Sequence, residues 1–216
     1  AMNIDNQGQQ NICGININSG FPLLPGANYP TNAAEQYCFL IAFDNLHQRK
    51  FTTIFGGSGL NFAYDVASNS SRYIYVVGKT NGSDFPVTNE SGAYYDYEYT
   101  STTSKFDGFV VKFDPFWGYM KWATFLGGDD NYNDQVSSLY FDSSDKMFLT
   151  GWTQDATFPV CTLANATNNS FAGSYDIFVA RLNTSDNFDW CTFYGSTDID
   201  KGMSITGDNS GNTYVY

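Results

Sequence analysis

Apolar and polar positions along this chain fall into short runs of alternating faces, and the same runs return in the same order. In Cys38–Asp44, CFLIAFD, the residues Phe39, Ile41 and Phe43 occupy one face and Leu40 and Ala42 the other, the period of a β-strand. Gly108–Asp114 (GFVVKFD) and Ile177–Asn183 (IFVARLN) repeat that run. Each is followed, after a short polar turn, by FTTIFGG (Phe51–Gly57), WATFLGG (Trp122–Gly128) or WCTFYGS (Trp190–Ser196). A turn-flanked strand follows as NSSRYIYVVG (Asn69–Gly78), DSSDKMFLTG (Asp142–Gly151) and DNSGNTYVY (Asp208–Tyr216). Its Asn, Asp, Ser and Gly residues suit the dihedrals of a hairpin turn. A Phe-Pro mark comes next, at Ser83–Pro86 and Ala156–Pro159, where proline cannot donate to a ladder and ends the strand. No stretch carries a helical period. The pattern predicts four short strands per unit, with Phe39, Phe109 and Phe178 equivalent and a period of about seventy residues, longer than most solenoid repeats.

The first residues continue the pattern. Asp5–Gly14 aligns with Asp142–Gly151, and Ser19–Pro22 supplies a further Phe-Pro mark. The units are therefore 1–36 (the end of a unit and its connector), 37–106, 107–175 and 176–216. Four antiparallel strands per repeat, with repeats side by side, predict an all-β chain of β-propeller blades, about three and a half of them. The dedicated ends of solenoids and propellers are not recognisable. That reads as a piece of a larger propeller or assembly, or as a segment whose edges were set by hand. The ordered words, a Phe-Val-hydrophobic-Lys/Arg strand, Thr-Phe-Leu-Gly-Gly, an Asp-Ser turn, a strand ending in Thr-Gly and a trailing Phe-Pro, resemble the SBBP-type β-propeller repeat. The resemblance covers nearly the whole chain, and Asp107–Pro159 matches best. Ala42 departs where Lys112 and Arg181 keep the basic position, and Asn69 replaces the turn aspartate. The resemblance implies secreted or surface proteins and supplies no catalytic mechanism.

Composition changes the picture in one direction. Net charge is −12 with aromatics at 18%, which excludes phosphate-backbone recognition and disfavours anionic membrane surfaces. No run reaches the ~18 apolar residues of a membrane span. The even cysteine count permits two disulfides; the pairs Cys13–Cys38 and Cys161–Cys191 would each tie the end of one unit to the start of the next. The alternative is four buried thiols. Sequons stand at Asn69, Asn81, Asn89, Asn165, Asn168 and Asn183, with Asn89, Asn165 and Asn168 in long connectors that would tolerate a glycan.

Candidate chemistry is sparse. His47 stands in a polar turn without a nucleophile or acid beside it, so no triad is built there. Asp129, Asp130 and Asp134 follow Gly127–Gly128, and their hard oxygens suit calcium. The recurring position Asn61/Asp134/Asp200 favours a repeated loop cap instead, leaving calcium as the one candidate cofactor. Lys112 and Arg181 should meet carboxylates of neighbouring units. Tyr94, Tyr95, Tyr97 and Tyr99 crowd an acidic connector, suited to sugar stacking, to an interface, or to covering a seam. These readings predict a non-enzymatic structural or adhesive module of an extracellular or cell-surface assembly, partnered by further copies or blades of itself. The alternative is a glycan-binding propeller using the connector tyrosines and loop carboxylates. Neither a nucleic-acid partner nor membrane insertion is expected.

Overall fold

A computed structural model describes residues 1–17, 21–22, 36–99, 105–128, 132–159, 170–208 and 210–216. Among them there are strands and no helix. The first sheet orders β1 (Met2–Ile4), β2 (Gln10–Asn16), β3 (Tyr37–Phe43) and β4 (Arg49–Phe55). The second orders β5 (Asn61–Ser68), β6 (Ile74–Thr80), β7 (Asp107–Phe113) and β8 (Met120–Leu126). The third contains β9 (Asp134–Phe141), β10 (Met147–Thr153), β11 (Asp176–Leu182) and β12 (Phe188–Tyr194), and a hairpin joins β13 (Ile205–Gly207) to β14 (Thr213–Val215). Every pairing within these sheets is antiparallel.

The sheet and the sequence unit are out of phase. Units 37–106 and 107–175 each supply the last two strands of one sheet and the first two of the next. The long connectors therefore lie inside sheets, between β2 and β3, β6 and β7, and β10 and β11, whereas the short Gly-rich loops pass from sheet to sheet. β3, β7 and β11, which the repeat suggests as inner strands, are third in their sheets; β1, β5, β9 and β13 are the edges that contact one another across sheets.

One interlock recurs and closes each long connector. Gly14, Gly78 and Gly151 stand opposite Phe39, Phe109 and Phe178 in the ladders. A Cβ on these glycines would lie 2.8, 2.6 and 2.8 Å from the facing ring, so the ring lies flat over bare backbone. The Phe of each Phe-Pro mark covers the ring: Phe21 on Phe39 at 4.7 Å, Phe85 on Phe109 at 4.7 Å and Phe158 on Phe178 at 4.5 Å between centroids. At Gly78 and Gly151 the ladder is bulged, and a Cβ would come within 1.8 Å of the carbonyl oxygens of Phe62 and Gln135, the close backbone approach that only glycine allows.

The sheets pack face to face over two cores. One, between the first and second sheets, holds Leu40, Phe55, Phe109, Val111, Phe113 and Phe125. The other, between the second and third, holds Val77, Val110, Trp122, Leu149, Phe178 and Phe193. Ile54, Phe125 and Phe193 pair in register with Phe39, Phe109 and Phe178 and are buried as the pattern requires. The central β7 is buried along its whole length, while β3 and β11 alternate. Hairpin turns share one design. Asp44 Oδ1 accepts the amides of Leu46 and Gln48, Asp142 those of Ser144 and Lys146, and Asn183 those of Ser185 and Asn187. The fourth residue of each turn is left-handed, as at His47, Arg72, Asp145 and Asp186. Asn69 does the same work as its aspartate counterparts, accepting the Tyr73 amide.

The cysteine pairing takes a different form. Cys13 faces Leu40 and Cys38 faces Ile15, so both lie in the first sheet as diagonal neighbours and not across two units. Diagonal positions sit about 7–8 Å apart, beyond the usual Cα span of a disulfide. Both are buried free thiols, and burial pushes Cys13 up to about 11. Cys191 is buried on β12, while Cys161 lies outside the described residues.

Phe109 is fully buried and Phe39 half-exposed, although they hold the same repeat position. Phe109→Ala should therefore destabilise the protein by about 3–5 kcal/mol, and Phe39→Ala by clearly less. Urea unfolding followed by tryptophan fluorescence measures both; equal losses would contradict the packing.

Candidate functional site

The connector tyrosines divide between cover and surface. Tyr94 packs on the second core and meets Phe188 edge-on at 4.8 Å, and its carbonyl accepts the Trp122 indole N–H. Tyr99 packs on the first core, and its hydroxyl donates to the Lys105 carbonyl. The connector also caps the outer edge of β8: Thr88 exchanges backbone hydrogen bonds with Ala123, and Phe125 N donates to Asp96 O. This occupies donors that an open edge would present to another chain. Tyr95 and Tyr97 remain at the surface, 5.8 Å apart between ring centroids, with Tyr97 62% exposed. The four tyrosines do not converge on one site.

The position shared by Asn61, Asp134 and Asp200 is a loop cap. Asn61 Oδ1 accepts from Gly57 N and the Thr80 hydroxyl, and its Nδ2 donates to the carbonyls of Gln36, Gly57 and Gly59. Asp200 Oδ2 accepts from the amide and hydroxyl of Ser196. Asp134 Oδ2 repeats the first half of the Asn61 pattern, accepting from Gly128 N at 3.3 Å and from the Thr153 side chain. Among the described residues its buried Oδ1 has no hydrogen-bond partner, at the place of the Asn61 amide. Burial, with Asp107 and Asp155 nearby, pushes Asp134 up to about 8 despite those hydrogen bonds. Asp129 and Asp130 lie outside the described residues, and among the described residues no three acidic, His or Cys side chains are gathered to hold a metal ion.

Charged side chains tie sheets together. Lys112 on β7 bonds Asp186, in the β11–β12 turn of the third sheet, and Glu90 of the connector, each at 2.8 Å. Burial works against that ammonium, but the two carboxylates outweigh it and hold it charged. Tyr75 donates to the same Asp186. Arg72 of the second sheet bonds Asp5 of the first at 2.6 Å. Arg181, expected to reach a neighbouring unit, pairs instead with Asp189 of its own sheet at 3.1 Å. Among the sequons, Asn89 is exposed, Asn69 and Asn183 hold turns, Asn81 Oδ1 accepts the Leu60 amide, and Asn165 and Asn168 lie outside the described residues.

A cluster that the sequence reading missed stands at the end of the sheets where β5 and β9 begin. Lys79 Nζ lies 5.4 Å from the Phe62 ring centroid, 4.7 Å from Phe106 and 5.6 Å from Trp152, with Tyr64 at 5.8 Å. Lys201 Nζ lies 4.4 Å from Trp152 and 4.3 Å from Tyr175. Neither lysine forms an ion pair among the described residues. Burial, and then the charge of Lys201, lowers Lys79 below the usual lysine range. The signal was present as a substitution between repeats: Lys79 follows Gly78 where Trp152 follows Gly151.

No protein-family model matches this chain, and no curated protein is significantly similar to it.

Asp134 generates a pH prediction. Its folded value, about 8, lies above the ordinary 3.8. Between those values the native state keeps a proton that the unfolded chain releases, so this group's contribution makes stability fall as pH rises through the window. Asp134→Asn would place an amide where Asn61 has one. The variant should unfold at higher urea than wild type at pH 8 and show a much smaller difference at pH 4. Parallel pH profiles for the two proteins would contradict the assignment.

Proposed function

We propose that the sheets are blades of an SBBP-type β-propeller repeat, and that the protein is a non-enzymatic structural or adhesive module of an extracellular assembly. The observation that carries this reading is a mismatch between equivalent faces. In the second sheet Phe109, Val111 and Phe113 are fully buried against the first sheet. In the third, Phe178 and Leu182 are buried against the second. In the first sheet the same positions, Phe39, Ile41 and Phe43, stay part-exposed. The face has the shape and chemistry of a blade-to-blade contact, and the occupant it fits is a sheet of this same repeat. At the other end the hairpin shows Met203 at 53% exposure and Tyr214 at 55%. A head-to-tail contact between unlike faces adds copies in a ring or a filament. The acidic surplus and the Asx-type turns suit a solvated outer surface, and the same surplus argues against nucleic acid as a partner.

The test is size-exclusion chromatography with light scattering across a concentration series. Wild type should self-associate, and Ile41→Lys on the open face should shift it toward monomer without altering the circular dichroism. A wild-type chain that stays monomeric at high concentration would overturn the reading.

A further inference from the structure

Most cations held between elements of this protein meet a carboxylate, and Lys50, which does not, spends its donors on Gln9 Oε1 and the Pro115 carbonyl. Arg72 has Asp5, Lys112 has Asp186 and Glu90, and Arg181 has Asp189. Lys79 and Lys201 are the contrast. They share one indole, Trp152, from which their Nζ atoms lie 5.6 and 4.4 Å. Lys79 is half-buried and Lys201 exposed, and neither has a carboxylate in ion-pair reach among the described residues. In a chain of net charge −12, two like charges on one ring, with no ion-paired carboxylate among the described residues, make a local inversion of the field. Aromatic faces attract each ammonium, which holds the side chains in place but does not neutralise them. An anion placed between them gains both charges at once, in surroundings less screened than open water.

The rings around the lysines narrow the class of anion. Phe62, Phe106 and Tyr175 are half-buried, so each leaves part of its apolar surface beside the ammonium groups. Flat apolar surface next to a charge-matching group suits a sugar ring, whose C–H face packs on an aromatic while its substituents hydrogen-bond. We propose that Lys79 and Lys201, seated on Trp152, bind the carboxylate of an acidic saccharide, with the half-buried rings beside them packing against its sugar face. This extends the adhesive side of the proposed function. It uses a different surface from the open face of the first sheet, so the two can fail separately.

Isothermal titration of the whole chain tests it, with tri-galacturonate, neutral tri-galactose and a glutamate peptide of equal charge as probes. The titration is run on Ile41→Lys as well as wild type, so that self-association cannot pass for binding. Tri-galacturonate should bind, more tightly at low salt, and at least about tenfold more tightly than either other probe, a difference of about 1.4 kcal/mol. Lys201→Gln, at an exposed position, and Lys79→Met should each weaken tri-galacturonate about tenfold while near-ultraviolet circular dichroism stays unchanged. Equal binding of the glutamate peptide would reduce the site to a plain anion site and overturn the saccharide assignment. No binding of tri-galacturonate, or binding that both lysine variants leave intact, would overturn the whole proposal.

Discussion

The interlock of a bare glycine, a strand phenylalanine and a Phe-Pro phenylalanine is the contact on which the sheets depend. Each sheet pairs its second and third strands across a long connector, and closing such a loop costs conformational entropy before any ladder bond is formed. The Phe21–Phe39, Phe85–Phe109 and Phe158–Phe178 ring pairs, the first tilted and the other two stacked, place a large apolar contact at that closure point, three times over. Offset aromatic pairs contribute about 0.5–1.5 kcal/mol beyond the area they bury. The glycine is what makes the geometry possible: with a Cβ at Gly78 or Gly151 the phenylalanine could not lie across the ladder, and the bulged neighbour strand could not approach. Once the ring is laid down, its outward face becomes the surface on which the preceding sheet packs. Strand pairing and sheet stacking are thus set by one group of side chains.

The strands and their turns were legible because both are local. Alternation marks β3, β7 and β11, and the Asx-type turns follow from a side-chain oxygen that bonds amides two and four residues on, as at Asp44 and Asp142. The phase of the sheets was not legible, for a physical reason. A periodic sequence cut at any point shows the same words in the same cyclic order, so nothing local says which four consecutive strands share a sheet. Only the long-range pairing of Gly78 with Phe109, or Gly151 with Phe178, fixes that. The same limitation misplaced the cysteines: Cys13 and Cys38 read as a tie between units because the unit boundary was drawn between them, whereas the ladder sets them in one sheet.

Side-chain sites were legible only where the repeat carried them. The cap position was readable because Asn61, Asp134 and Asp200 align, but the fate of Asp134 was not. An aspartate after a Gly-Gly pair, among other aspartates, reads equally as a calcium ligand, yet it is fully buried, with one oxygen where Asn61 presents a donor. The Lys79 cluster was invisible for the opposite reason. It gathers Phe62, Phe106, Trp152, Tyr175 and Lys201 from the second sheet, the third sheet and the loop after it, and no sequence spacing brings such residues together.

The division of labour between loops follows from this arrangement. The short passages from β4 to β5 and from β8 to β9 are fully committed: Gly57 and Gly128 lie against Asp84 and Asp155, and the cap residues fasten those turns from within. A change of length there would shift one sheet against the next. The connectors inside sheets are closed at their roots by the aromatic pairs and the ladder. Where the 81–106 connector is described, it is used to cover the β8 edge and to supply Glu90 to Lys112. Variation at the exposed positions of this connector, such as Tyr97, alters what the outer surface presents, whereas Tyr94 and Glu90 also take part in how the second and third sheets stack. The ends of the sheets where β5 and β9 begin are different again, since residues there come from several sheets at fixed relative positions. A binding surface built on that end inherits the rigidity of the cores beneath it, which is the condition that two ammonium groups without an ion pair among the described residues need in order to stay poised over their rings.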